Sequence, residues 1–160
     1  MNQAIQEQPG TKTTERPLYS PGLEGVIAGE SALCQVDEGE AGLRYRGYAI
    51  GDLAKWSRFE EVAYLLLIGH LPTRSELDSF STLLRGHRVL PDPVQRFIDS
   101  LQPGLHPMDV LRTGISLLGL SDPDAQDGAH EANLRKSMRL LSQIPLLIAH
   151  SYRVMSGILP

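Results

Sequence analysis

Five histidines are the side chains of this 160-residue chain best suited to carry a proton near neutral pH. His70, His87, His106, His130 and His150 are scattered, and no two stand four residues apart around a carboxylate. The pair of zinc ligands and the base that such spacing puts on one helix face therefore has no support. The chain also lacks a glycine-rich phosphate loop and a Gly-x-Ser-x-Gly elbow for a serine nucleophile. Arg44, Arg46 and Arg112 carry the planar fork that grips carboxylate or phosphate. Solvated strand charges, for the first two, and a helix-surface charge, for the third, are simpler readings. The single cysteine, Cys34, has no partner for an internal disulfide, which fits a reducing compartment. It is expected to be a small, partly buried apolar residue.

The neighbours of each histidine favour structure over chemistry. His87 ends an amphipathic helix whose apolar stripe already includes it, and an imidazole near the last carbonyls of a helix is electrostatically favoured. His106 precedes Pro107 at a helix start, where a side chain meets exposed backbone N–H groups. His70 follows Gly69 in a turn, His130 opens a long helix, and His150 lies further along it on a face that is largely apolar. No residue is assigned a catalytic, cofactor-binding or metal-ligating role.

Bulk properties narrow the class. A chain of 160 residues is one ordinary domain, long enough to bury roughly 70% of the surface its unfolded form exposes. Apolar residues make up 41%, and fifteen Lys and Arg stand against nineteen Asp and Glu, a net charge of −4. That balance favours folding and gives no basic patch for nucleic acid. No apolar run reaches membrane-spanning length, and the first residues have neither the charged start nor the apolar core of a signal peptide. A soluble cytoplasmic protein is expected.

The pattern along the chain predicts a mainly α protein with a small N-terminal β-hairpin: a disordered tail over 1–20, a hairpin region over 21–50 and helices over 51–160. Candidate strands are Leu23–Ala28, Ser31–Val36 and Leu43–Tyr48, the last two joined by the loop Asp37–Gly42. A Ser57/Glu60 capping box should open a helix over Phe59–Ile68 that Gly69 stops, its second half buried all round. A second box, Thr73/Glu76, opens an amphipathic helix with Leu77, Phe80, Leu84 and His87 on one face, and Val94, Phe97, Ile98 and Leu101 mark a short helix after Pro91. Pro107 and Gly119 bound a helix so apolar, with Met108, Val110, Leu111, Ile115, Leu117, Leu118 and Leu120, that the other elements should pack around it. From about Ala129 to Gly157 a long helix is expected, its apolar side formed by Leu134, Met138, Leu141, Ile148, Tyr152 and Met155. Pro145 should kink it and not divide it, since burying several leucines and isoleucines at roughly 1.5–3 kcal/mol each outweighs a mid-helix proline at about 3 kcal/mol. The apolar finish Ile158-Leu159-Pro160 reads as an interrupted chain.

Three ordered stretches resemble the N-terminal part of the citrate synthase family, which includes the 2-methylcitrate synthases. They are Gly22-Leu23-Glu24-Gly25-Val26 through Leu43-Arg44-Tyr45-Arg46-Gly47-Tyr48 to Phe59-Glu60-Glu61-Val62-Ala63-Tyr64-Leu65-Leu66; Leu90-Pro91 with His106-Pro107-Met108-Asp109-Val110-Leu111-Arg112-Thr113; and Glu131-Ala132-Asn133 followed by Arg135-Lys136. The resemblance implies an almost wholly α-helical, homodimeric acyltransferase that condenses acetyl-CoA with oxaloacetate to give citrate and CoA. It also implies that the two histidines and the aspartate of the chemistry lie beyond the present residues. Gly86-His87-Arg88-Val89 is similar to the family's later Gly-His-Arg segment only in letters, since it falls at an ordinary helix end. His130-Glu131-Ala132-Asn133 resembles the other histidine segment but lacks the glycine pair after the histidine. Acetyl-CoA is then a substrate of the full enzyme, with no cofactor held by this part. The alternatives are a 2-methylcitrate synthase using propionyl-CoA and a non-catalytic helical interaction module derived from the same fold.

Overall fold

The computed structural model describes residues 29–36 and 42–158. The expected tail, the strand at Leu23–Ala28 and most of the loop Asp37–Gly42 lie outside these residues. The chain divides into two units, Met1–Ser31 and Ala32–Pro160, and every element described here belongs to the second.

Three short strands, β1 (Cys34–Val36), β2 (Leu43–Tyr45) and β3 (Tyr48–Ala49), pair antiparallel in that order. Cys34 faces Tyr45 in the register, and Tyr45 faces Tyr48. The stretch expected to be one strand, Leu43–Tyr48, is thus a second hairpin. Arg46 and Gly47 both take positive φ, 48° and 88°, the two-residue turn whose twist matches the flanking strands. Cys34 is exposed, not partly buried, because all of β1 is a solvent-facing edge.

Helix α1 (Ile50–Trp56) follows β3 directly, packs on β2 and β3, and buries Leu53. Helix α2 (Phe59–Ile68) starts one residue later than its expected box. Arg58 is the N-cap, and its backbone N–H donates to Glu61 Oε2 at 2.7 Å in place of a Ser57/Glu60 pair. Gly69 closes α2 at φ 109° as its composition requires. The second half of α2 is buried on one side only: Leu65 is fully buried while Ile68 is 40% exposed. Helix α3 (Arg74–Gly86) has the expected cap, with the Thr73 N–H and hydroxyl donating to Glu76 Oε2 at 2.7 and 2.8 Å. Helix α4 (Asp92–Asp99) buries Val94 and Ile98, and Leu101 lies buried just past it.

Helix α5 (Pro107–Leu120) runs through Gly119 and is capped at Ser121, so that glycine does not end it. Its buried line is Val110, Gly114 and Leu118, while Met108 and Leu120 face outward, so the helix is covered on one side and not surrounded. The element around which the others gather is α6 (His130–Met155), which packs on α3, α4 and α5 and stays one helix through Pro145. Its buried positions are Ala132, Ser142, Leu147 and Ser151. Ile148 and Tyr152, expected inside, are exposed, because the buried side of α6 runs through Ser142, Leu147 and Ser151 instead. Gly157, at φ 67°, closes it through the Ile158 N–H on the Arg153 carbonyl at 2.8 Å.

Two apolar clusters meet along α6. Ala63, Phe80 and Leu84 form one with Met138 and Leu141; Val94, Ile98, Leu101, Val110 and Leu118 form the other around Leu147. Gly114 makes the second possible, since a Cβ there would stand 2.6 Å from both Leu147 methyls. Gly114→Val should therefore lower unfolding free energy by about 3 kcal/mol, the upper range for overpacking a filled core. Gly119→Ala on the same helix, with nothing within 4 Å, should raise it by up to ~1 kcal/mol through helix propensity alone. Urea denaturation of the two variants checks both signs.

Candidate functional site

The residues singled out for possible chemistry are placed apart by the fold. His106 is the N-cap of α5, its Nδ1 accepting from the Met108 N–H at 3.3 Å. His87 is the C-cap of α3, with its N–H on the Leu83 and Leu84 carbonyls. His130 is the exposed first residue of α6, and half-buried His150 lines a small cleft with Gln95, Asp99 and Arg153. Arg112 pairs with Asp109 one helical turn away at 3.0 Å, the helix-surface charge expected. The two arginines expected to be solvated strand charges, Arg44 on β2 and Arg46 in the turn after it, are not simply solvated. Arg44 Nη1 donates to the Gly47 carbonyl at 3.1 Å, and Arg46 Nη2 reaches the Leu66 carbonyl at 3.4 Å, tying the hairpin to α2. Among the described residues, no group of three or more His, Cys, Asp or Glu side chains is placed to hold a metal ion.

His70 belongs to a polar cluster that the sequence did not announce. Its Nε2 lies 3.4 Å from Glu76 Oε1, and its ring meets the edge of Tyr64, which in turn packs edge-on against Phe80. The Thr73 backbone N–H, then its hydroxyl, hold Glu76 down to about 2 against the opposing pull of desolvation. Burial, then the Glu76 charge, raises the Tyr64 phenol. These groups brace the α2–α3 turn: their hydrogen bonds are spent on a helix start.

The densest charged group is also structural. Asp122 and Asp124 sit in the polar loop after α5, and Arg135 and Arg139 on the first turns of α6. Arg139 donates to Asp122 through Nε at 2.8 Å and Nη2 at 2.7 Å, and to Asp124 at 2.6 Å. Arg135 holds Asp124 through two bonds of 3.0 and 2.7 Å, and the Asp124 N–H donates to Asp122. The side chains of Arg139 and Asp122 are only 15% and 12% exposed. Burial raises the Asp122 carboxyl, but the Arg139 hydrogen bonds and the Asp124 N–H outweigh it and leave it below the ordinary range. Arg135, then Arg139, hold Asp124 far below that range. The separations in sequence, eleven to seventeen residues, follow no helical or strand period, which is why pattern reading missed the cluster.

Two apolar grooves complete the surface. One of about 480 Å³ runs between α2 and α6, lined by Phe59, Leu66, Leu140, Ile144 and Pro145 among others. Another of about 270 Å³ lies between α5 and α6, lined by Met108, Leu111, Ile148 and Tyr152, with the buried Ser151 hydroxyl unpartnered beside it.

The described residues thus form a helical framework with an Asp–Arg clamp at the start of α6 and two open apolar grooves along it. The family model described as citrate synthase, C-terminal domain, matches residues 22–160. The chain belongs to the citrate synthase family. It is 42% identical over 138 residues to the 2-methylcitrate synthase of Shewanella oneidensis, covering 86% of this chain and 36% of that one. It is 39% identical over 147 residues to a citrate synthase of Mycolicibacterium smegmatis, covering 92% and 39%. The crystal structure of citrate synthase from Pyrobaculum aerophilum superposes with a TM-score of 0.78 at 31% identity, covering 96% of this chain and 42% of that one. The chain thus spans about two-fifths or less of the length of these relatives. No helix among the described residues is long and apolar enough to cross a membrane.

Because Asp122, Asp124 and Glu76 all titrate below their unfolded values, their contribution is complete above the ordinary carboxylate range, about pH 4, and is lost as pH falls from there through their depressed folded values. Arg139→Leu, which leaves Asp122 without its main partner, should cost about 2 kcal/mol at pH 7, less than a fully buried pair because water still reaches the site. The loss should shrink below pH 4, where the stranded carboxylates can take up protons. Denaturation of both proteins at pH 7 and pH 3.5 measures the difference.

Proposed function

We propose that this chain is the leading portion of a citrate synthase-family enzyme that condenses an acyl-CoA with oxaloacetate, and that it supplies framework while the reacting groups come from the rest of the enzyme. The observation that carries this reading is the family match over 22–160 at about two-fifths of the relatives' length. The reaction needs a carboxylate to remove a proton beside the thioester, neutral donors for the enol and the ketone, and arginines to orient the substrate carboxylates. Among the described residues the histidines stand apart, and Arg135 and Arg139 are already matched to aspartates. The grooves beside α6 give the remaining chain apolar surface to cover. Acetyl-CoA would yield citrate and propionyl-CoA 2-methylcitrate, and the relatives include synthases of both products. The resemblance extends the proposal to a homodimer working in the cytoplasm, and one exposed free cysteine suits a reducing compartment.

The purified 160-residue chain is expected to release no CoA from either thioester in the presence of oxaloacetate, followed by thiol titration. Turnover above the uncatalysed rate would overturn the framework reading. The same preparation should bind a hydrophobic dye and self-associate through its uncovered grooves. A dye-silent monomer with a sharp unfolding transition would instead favour a self-contained interaction module.

A further inference from the structure

The polar loop between α5 and α6 ends in the sole Asp-Gly pair of the sequence, Asp127-Gly128. Both residues are exposed, and a Cβ built on Gly128 would meet nothing within 4 Å, so solvent reaches the peptide that joins them. In such a pair the backbone nitrogen of the second residue can attack the side-chain carboxyl carbon of the first. The ring that closes has five members and little strain, and glycine places no side chain in the path of approach.

The fold arranges the neighbours of that peptide in favour of the attack. Asp127 Oδ1 accepts from the Ala129 N–H at 2.8 Å, an Asx-type turn. To make that bond the side chain folds forward over the following peptide, which carries Cγ towards the Gly128 nitrogen, and the same N–H draws electron density from the carboxyl group. Lys136 Nζ donates to the Asp127 backbone carbonyl at 2.6 Å. An ammonium on that oxygen makes the N–H of the same peptide unit, which belongs to Gly128, a stronger acid. Asn133 Nδ2 holds the Gly128 carbonyl at 3.2 Å. The Gly128 N–H itself donates to no acceptor among the described residues, so no hydrogen bond has to break before its nitrogen reacts. The Asp-Ser pairs of the chain are placed differently. Ser79 lies within α3, and the Ser100 N–H donates to the Arg96 carbonyl at 3.2 Å, so Asp78 and Asp99 face nitrogens held in or beside a helix.

We propose that Asp127 is a site of spontaneous isoaspartate formation. The Gly128 nitrogen bonds to Cγ of the protonated carboxyl group, one C–O bond breaks, and the hydroxyl leaves with the Gly128 amide proton as water, giving a cyclic imide. Water then opens the ring. Addition at Cγ restores aspartate, whereas addition at the Asp127 backbone carbonyl carbon leaves the chain running through the side chain, with a free α-carboxylate. The product lengthens the main chain by one carbon between Asp124 and Arg135, inside the clamp that fixes the start of α6. The test is to age the purified chain for several weeks at physiological temperature and near-neutral pH in heavy-oxygen water, then digest it and fragment the peptides to separate isoaspartate from aspartate. Isoaspartate should accumulate at Asp127, with heavy oxygen incorporated there, in clear excess over Asp78 and Asp99. Gly128→Ala, which has open space for its methyl group, should slow accumulation about tenfold by obstructing the close approach. Lys136→Met should slow it as well, with circular dichroism verifying that both variants are folded. Unchanged aspartate at Asp127, equal conversion at Asp99, or the unmodified chain's rate in either variant would overturn the proposal. Because the readout is a change in the chain's own backbone, it succeeds or fails independently of whether the chain turns over acyl-CoA.

Discussion

A single helix has to serve two cores at once. The first half of α6 closes the cluster of α2 and α3 through Met138 and Leu141, and the second half closes that of α4 and α5 through Leu147. Pro145 lies between the halves and removes a backbone donor where a continuous ladder would be expected. The helix persists because apolar contacts flank the proline on both sides. Leu147 is fully buried, a side chain of the kind whose burial is worth roughly 1.5–3 kcal/mol. Gly114 is the matching constraint on the neighbouring helix, giving up helix propensity so that Leu147 can approach the α5 backbone.

The position of α6 depends in turn on charge. The loop after α5 is rich in turn residues and has little to bury, so it cannot fix the next helix by packing. Asp122 and Asp124 do so by gripping Arg139 and Arg135 in a network of bidentate bonds, and the low exposure of Arg139 and Asp122 keeps that network from being fully screened. The same economy explains the functional reading. His106 and Glu76 at caps and the arginines of the clamp each have a structural partner, whereas large apolar side chains such as Phe59, Met108 and Tyr152 are left exposed. That is the distribution expected of a framework that other segments of a citrate synthase-family enzyme complete.

Local signals in the sequence were legible where a single residue type answers a single backbone need. Thr73 and Glu76 cap α3, Gly69 ends α2, and the Val94, Ile98 and Leu101 spacing marks the buried side of α4. Reading failed where the cause is distant or ambiguous. Helix α1 begins at Ala49 without any side-chain cap, so nothing local announces it. The Arg46-Gly47 turn interrupts a run with good strand alternation, because Arg46 is an unusual residue at positive φ. The apolar density of α5 suggested a central helix, yet an apolar surface shows only that something must cover it, not that the covering lies within these residues. For the same reason the clamp, built across eleven to seventeen residues of sequence, could not be foreseen.

The claim that α6 makes one structural unit of the two clusters is tested most directly by native-state hydrogen exchange along that helix. The account predicts that slow amides near Leu141 and Leu147 exchange through a common opening, with the same free energy and the same denaturant dependence. Exchange of one half of α6 through a lower-energy opening, while the other half stays protected, would contradict it.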